Sequence, residues 1–359
     1  MKNKVGLWFV FTTIMGLFFD SRLSAQTHMT PALEKLVKAA AAEKELNYLG
    51  GGIDEAQAFQ KWERGMRTLY GIDVKLRYTT APNMPRNASR LVQEFKAGKP
   101  ATTDLFLGSE NHLVSLWRAR VLESVNWTEL SPKIPSAAAQ PENVALAVTS
   151  RFPGFTYNTR LVRASERPRL LNDLLDPKWK GKVASTSYAA SFAPASVILG
   201  DETIEKFLKN LAGGGNLAGL IGCGDLERVV SGEFWILALN CGAGETEMLR
   251  RKDAPIASET LDDLPILNYW LVGVPKNSPH SNLARLFAVY LMTEEAQKIL
   301  WEHTGFDLHL IEGTNTHTLA QSLRRRGIEP KIFALKEVDT LGKTLSERRE
   351  KYQRILEGR

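Results

Sequence analysis

Apolar residues recur three and four apart between Thr30 and Leu46, at Leu33, Leu36, Val37 and Ala40, behind a Thr30-Pro31 pair that sets a cap residue before a proline in the first turn. That spacing predicts an amphipathic helix. The short apolar run Leu46 to Leu49, closed by Gly50-Gly51-Gly52, reads as a strand and turn. A helix from about Asp54 to Tyr70, stopped by Gly71, and a strand from Val74 to Tyr78 come next. A helix near Ser89 to Lys96, a strand from Asp104 to Leu107 and a helix from about Asn111 to Arg120 continue the alternation. Helices and strands in that order predict parallel strands joined by crossovers, with ligand-facing groups gathered at the carboxyl ends of the strands.

A second alternating block begins with the strand-like run Phe155 to Val162. Asp176-Pro177 stops the helix expected to carry Leu170, Leu171, Leu174 and Leu175, because the residue before a proline is pushed out of helical geometry. Trp179 then serves as an apolar lid, and Gly181 permits a tight reversal into a strand near Lys182-Val183. Helices over Thr203 to Leu211 and Asp225 to Ser231 are expected to alternate with strands over Leu217 to Ile221 and Phe234 to Asn240. A strand over Leu267 to Val274, two helices over Pro279 to Tyr290 and Thr293 to His303, and a charged helix from Thr344 onward, with Tyr352 and Ile355 on its apolar side, complete the chain. No internal repeat interrupts it.

The first 25 residues change the picture of where the chain works. Lys2 and Lys4 precede an apolar core from about Val5 to Phe19, followed by Leu23-Ser24-Ala25-Gln26, which reads as a secretory signal peptide cleaved after Ala25. The apolar core is shorter than the roughly 20 residues that span a bilayer, so the mature chain is expected to be soluble and periplasmic. Loss of Lys2, Lys4, Asp20 and Arg22 lowers the formal charge from +6 to +4. A mildly basic chain whose only cationic triplet is Arg324-Arg325-Arg326 lacks the concentrated stripe of a nucleic-acid binder.

Several segments, in order, resemble the family 1 extracellular solute-binding proteins, which include ferric-iron and 2-aminoethylphosphonate-type receptors of ABC importers. They are Leu36 to Ala40 with Glu43 to Leu46; Asp104 to Gly108; the corner Leu174 to Ala184; Val229 to Glu233; Ala284 to Leu291 with Thr293 to Leu300; and Lys351 to Ile355. The resemblance implies an α/β, two-lobe type 2 periplasmic-binding fold, with mixed, mostly parallel sheets, flanking helices and a hinge. Lobe 1 is expected to hold 26–145 and 264–318, and lobe 2 to hold 146–263 and 319–359. It implies a monomeric, non-enzymatic receptor that closes on a small organic, anionic solute and delivers it to an ABC permease in the inner membrane. No cofactor and no nucleic acid enter this reading.

The candidate binding residues follow from strand ends and helix starts. Gly51 and Gly52 precede a helix, where bare amides face an anion, or else they form a plain tight turn. Thr79, Thr80, Ser109 and Glu110 follow strands and either orient a ligand or cap helices. Ser187, Tyr188 and Ser191 fall in the loop that follows the lysine-glycine corner, and Asn240 ends a strand. Of Tyr269 and Trp270, alternation sends one to the cleft and the other to the core, and Tyr269 is taken as the candidate. In the iron-binding branch the strand after Gly232-Glu233 ends in an asparagine and two tyrosines; here it reads Asn240-Cys241-Gly242. Without phenolate oxygens the site suits hard ferric ion poorly, and His112, His280, His303, His309 and His317 have no ligand spacing. Cys223 and Cys241 form a disulfide in an oxidising compartment, or else remain two buried thiols. The sequence has no nucleophile elbow, zinc-protease helix or phosphate-gripping loop. A secreted two-domain hydrolase using Ser109, Ser187 or Ser191 is the competing reading.

Overall fold

The computed structural model describes residues 29–51, 56–80, 83–187, 189 and 191–358. Residues 1–25, expected to form a signal peptide, and Gly52 and Tyr188 lie outside them.

The chain builds one sheet, leaves to build a second, and returns. The first pass gives α1 (Pro31–Ala40), β1 (Glu45–Gly50), α2 (Ala56–Tyr70), β2 (Lys75–Thr80), α3 (Met84–Lys96), β3 (Leu105–Ser109), α4 (Glu110–Arg118), a single turn α5 (Trp127–Leu130) and β4 (Leu146–Arg151). The excursion holds β5 (Phe155–Asn158), β6 (Val183–Thr186), α6 (Phe192–Leu199), α7 (Asp201–Gly213), β7 (Leu217–Ile221), α8 (Glu227–Val230), β8 (Ile236–Ala238), α9 (Gly244–Arg250) and β9 (Ile256–Glu259). The return supplies β10 (Ile266–Gly273), α10 (Ser281–Tyr290), α11 (Glu294–Thr304), α12 (Asn315–Arg325), β11 (Lys331–Phe333) and α13 (Leu335–Leu356).

The first sheet runs β11-β10-β3-β1-β2, with β4 on the remaining edge of β10; the second runs β7-β6-β8-β5-β9. Strands β1, β2 and β3 are mutually parallel, as are β6, β7 and β8, while β10 runs antiparallel to β3 and β4. Each lobe is therefore a parallel block with antiparallel strands at the lobe junction. Local chemistry explains the starts and stops. Thr30 accepts the Leu33 amide at 3.1 Å to cap α1, and Gly305, at φ +69°, ends α11 in the left-handed conformation. The core of the first lobe packs Tyr48, Phe59, Trp62 and Phe287 edge to face, with the Trp62 and Phe287 centroids 5.7 Å apart. Each such fully buried side chain contributes about 1.5–3 kcal/mol from burial alone.

Several expectations need correction. The leucines at 170–175 form a five-residue 3₁₀ turn, Leu171–Leu175, instead of an α-helix. Asp173 accepts the amides of Arg169 and Leu170, and Asp176-Pro177 stops the turn one step later. The run from Phe155 leaves the sheet at Asn158, whose amide group donates to Val229 O and Val230 O while its carbonyl accepts the Arg160 amide. The boundaries drawn at 146 and 319 also shift. Strand β4 pairs along β10 and β11 extends the same sheet, so 146–151 and 331–333 belong to the first lobe's sheet. Helix α13 begins at Leu335, nine residues early, and spans both lobes. It ties to α4 through Arg118 and Asp339 at 2.5 Å, and to lobe 2 through Lys351 and Asp201 at 2.7 Å. Helix α9 and strands β4, β9 and β11 were not anticipated.

The lobes are joined where Phe152 to Gly154 leaves and Glu259 to Pro265 returns. Gly154 exchanges hydrogen bonds with Asn240, donating to Oδ1 at 3.0 Å and accepting from the backbone amide at 2.8 Å. A Cβ on Gly154 would overlap the Glu259 carbonyl and lie 2.8 Å from its carbon. Gly154→Ala is therefore expected to force the two crossing segments apart, costing about 1–3 kcal/mol. A calorimetric scan would show a lowered Tm, and an unchanged Tm would mean that the crossing is not constrained there.

Candidate functional site

The strand ends of the first lobe come together as the sequence pattern requires. Gly50 pairs with Thr80 across β1 and β2, and Gly51, Thr79 and Thr80 sit at that carboxyl edge. Ser109, the last residue of β3, is opposite Trp270 on β10, and Trp270 is opposite Thr149 on β4. Laterally paired residues share a face of a sheet, so Ser109, Trp270 and Thr149 form one row. Gly51 closes on that row, since a Cβ there would lie 3.1 Å from Trp270 Cη2. Ser109 also caps α4, with its Oγ 2.9 Å from His112 Nδ1.

Alternation along β10 separates its two aromatics. Tyr269 is 2% exposed and its ring stacks on His309, with centroids 5.8 Å apart. Trp270 is the half-buried member that faces Gly51. The structure thus places Tyr269 in the core and gives the cleft position to its neighbour. Glu110 lies below the same row, buried, accepting the Tyr269 amide. Burial pushes its carboxyl up to about 8, against the lowering effect of its own amide, the Tyr269 amide and Arg151. It lies under the floor, away from the position in which it would meet a ligand amine.

In the second lobe, Ser187 and Ser191 follow β6 and Asn240 follows β8. Asn240 is saturated: Oδ1 accepts the amides of Gly154 and Gly242, and Nδ2 donates to Thr156 Oγ1 and Ser258 Oγ, all at 2.9–3.0 Å. Its side chain holds the lobe junction. Ser191 Oγ donates to Asn240 O at 3.0 Å, whereas half-buried Ser187 donates only its amide, to Ile221 O, in the bonds described. Cys223, beyond β7, and Cys241, beyond β8, are joined in a disulfide with Cα atoms 5.9 Å apart. Because β6 lies between β7 and β8, the bridge spans the end of β6 from which the 187–191 loop departs. The hydroxyls of Ser185 and Thr186 on β6 have no hydrogen-bond partner among the described residues.

Sequence reasoning missed Arg151. It ends β4, and its guanidinium lies 4.0 Å from the ring centroids of both Trp270 and Phe306. Its side chain is 11% exposed and stands 3.7 Å from Glu245 Oε1 on α9 of the other lobe. Gly242 and Gly244 abut this group so closely that a Cβ at 242 would lie 3.2 Å from Arg151 Cβ, and one at 244 would overlap the Phe306 ring. The available signal was an arginine closing the buried run Leu146 to Ser150. Among the described residues, no cluster of three histidine, cysteine, aspartate or glutamate side chains is arranged to hold a metal ion.

Two α/β lobes with facing strand ends, joined by paired crossing segments, define a two-lobe periplasmic-binding fold. A family model described as bacterial extracellular solute-binding protein matches residues 102–318, and the chain belongs to that family. Solved structures agree on the fold. The Trichodesmium protein IdiA (FutA), in complex with iron and citrate, is 22% identical with a TM-score of 0.66, over 86% of this chain and 99% of that one. A substrate-binding protein of an ABC transporter from Agrobacterium tumefaciens is 17% identical with a TM-score of 0.71, over 88% and 96%. AgtB from A. tumefaciens, in complex with agropinic acid, is 15% identical with a TM-score of 0.62, over 86% and 98%. A search of the curated proteins finds no match by sequence.

Glu110 gives a pH test. A carboxyl whose folded pKa lies near 8 and whose ordinary value is 4.5 holds its proton more tightly when folded, so stability is lost as pH rises between those values. The loss is at most about 5 kcal/mol. Glu110→Gln keeps the acceptor for the Tyr269 amide and should flatten the fall of Tm between pH 5 and pH 8.5; parallel profiles would remove the acid from this role. For the cysteines, mass spectrometry of unreduced peptides should recover the 223–241 cross-link from exported protein, and two alkylatable thiols there would contradict it.

Proposed function

We propose that this chain is an exported periplasmic receptor that captures a small organic, anionic solute between its lobes and hands it to an ABC permease in the inner membrane. The observation that carries the reading is the convergence of Gly51, Ser109, Trp270 and Arg151 on one face at the lobe junction, within a member of an extracellular solute-binding family. Strand carboxyl ends supply free polar groups without long side chains, and an aromatic floor packs against the solute body. Tyr188 and the 187–191 loop would close from the second lobe. Closure follows if the solute binds the closed form more tightly than the open one. No helix of the described residues is long and apolar enough to cross a membrane.

Ferric iron is the alternative cargo, raised by the iron-bound relative. The segment Asn240-Cys241-Gly242 speaks against it, because Asn240 is saturated, Cys241 is bonded and no phenolate is present. Ferric citrate should therefore give no visible charge-transfer band. A coloured stoichiometric complex would reverse that assignment.

A solute library screened by thermal shift should give a ligand that raises Tm by mass action and shrinks the radius of gyration in solution scattering. Trp270→Ala should weaken that ligand by about 1–3 kcal/mol, and Tyr188→Ala should also reduce affinity. Turnover of an ester or phosphate substrate that disappears in Ser109→Ala, Ser187→Ala or Ser191→Ala would favour the hydrolase instead.

A further inference from the structure

The bridge between Cys223 and Cys241 closes the cleft end of the second sheet in a way that stability alone does not call for. Strands β7 and β8 flank β6, and strands two places apart in a sheet stand about 9–10 Å apart. Register sets both cysteines past the end of β6, since Thr186 is level with Ile221 and Ser185 with Ala238. There the cysteine Cα atoms are 5.9 Å apart, so the chains leaving β7 and β8 lean together across that end. The bend on the β8 side is made of strained backbone. Leu239, fully buried, takes φ +46°, and Gly242 takes φ +127°. Ala189, between β6 and α6, is also left-handed, at φ +48°. That conformation strains a residue with a Cβ and persists where the surroundings fix it, most often at functional sites. The hydroxyls of Ser185 and Thr186, the last two residues of β6, add a second local cost, being buried without a hydrogen-bond partner among the described residues.

The candidate binding residues of this lobe hang from the same strand ends. Ser187 donates its amide to Ile221 O at 3.3 Å, two residues before Cys223. Ser191 Oγ donates to Asn240 O at 3.0 Å, one residue before Cys241. The disulfide joins these two anchors covalently, and Asn240 carries the linkage on to Gly154 at the lobe crossing. We propose that Cys223 and Cys241 are positioning residues of the cleft: their bridge clamps the exit of β6 so that Ser187 and Ser191 are held ready for the solute, and solute affinity depends on the bridge being intact. The inference rests on the solute-binding reading above and adds a requirement on its second lobe. A preformed site binds more tightly because less ordering is left for the solute to impose. With the bridge opened, the turns at Ala189 and Leu239 relax and the two anchors separate. A cross-link serving only the fold would raise Tm and leave the affinity of the folded protein unchanged.

The test compares oxidised mature protein, the same protein reduced by dithiothreitol, and the double variant Cys223→Ser with Cys241→Ser. In the reduction the two thiols of dithiothreitol lose two electrons and two protons and close into a cyclic disulfide, while the S–S bond breaks and both cysteines become thiols. Without any solute, hydrogen exchange should be about tenfold faster or more in peptides carrying Ser187, Ser191 and Asn240 once the bridge is lost, with β1, β2 and β3 unchanged. Calorimetry with inorganic phosphate, succinate and 2-aminoethylphosphonate should show that each probe bound by oxidised protein binds about tenfold more weakly to the reduced and double-variant forms. Reoxidation should restore the reduced protein and leave the double variant as it was. Equal exchange at Ser187 and Ser191 in both redox states overturns the proposal. So does a probe bound equally tightly in both states, which leaves the receptor reading intact. Loss of protection across both lobes on reduction also overturns it, because the bridge then holds the whole fold. If none of the three probes binds, the exchange comparison alone decides the clamp, and the broader solute library decides the receptor reading separately.

Discussion

The structure depends on one strand running against its neighbours. Strand β10 enters the first sheet antiparallel to β3 on one edge and to β4 on the other, and its start also carries β11. In a wholly parallel sheet the chain would have to cross over a helix before each strand. Here β4 leaves for the second lobe and β10 returns beside it, so both crossing segments emerge side by side. The same pairing decides the cleft. Register with Ser109 and Thr149 turns Trp270 toward the strand ends, and the pleat then sends Tyr269 into the core against His309.

Burial beneath that row sets its electrostatics. Glu110 accepts the Tyr269 amide and so fixes the backbone of β10 at the point where Trp270 turns outward. Burial holds the acid protonated near neutral pH against the opposing pull of Arg151. Asn240 does the equivalent work on the other side of the junction. Its four hydrogen bonds tie Gly154, Gly242, Thr156 and Ser258 together, fixing the loop that carries Cys241.

The fold was legible because its signals are local. Helical spacing in α1, α2, α7, α10 and α11, the glycine stop at 71, and strand ends at Gly50 and Ile221 are all written in runs of a few residues. The parallel order followed from alternation alone. What stayed hidden was non-local. Whether Tyr269 or Trp270 faces the cleft depends on the register of β10 against β3 and β4, more than a hundred residues away in sequence. Arg151 shows no motif, because its meaning comes from Phe306 and Glu245, which only folding brings to it. The residues of β4 and β11 were placed in the other lobe for the same reason: the strand each one pairs with is distant in sequence. Asn240 and Glu110 looked like ligand groups since strand ends favour them, yet Glu110 accepts a backbone amide and Asn240 is taken up by two backbone amides and two side-chain hydroxyls.

The helix α13 bears on how closure is powered. It reaches from α4 of one lobe to α7 of the other, held by Arg118 with Asp339 and by Lys351 with Asp201. Those pairs are partly exposed, with side-chain exposures from 32% to 60%, and ion pairs at such positions contribute little, typically under about 1 kcal/mol each. Most of the hold of α13 therefore comes from its buried side chains, Leu335, Val338, Leu345, Tyr352 and Leu356. The buried contacts at the junction are the tighter ones, where Gly154 meets Glu259 and Gly244 meets Phe306 without room for a methyl group. Packing thus defines the junction sharply, and a solute can shift the balance between lobe arrangements only by the difference in its affinity for them.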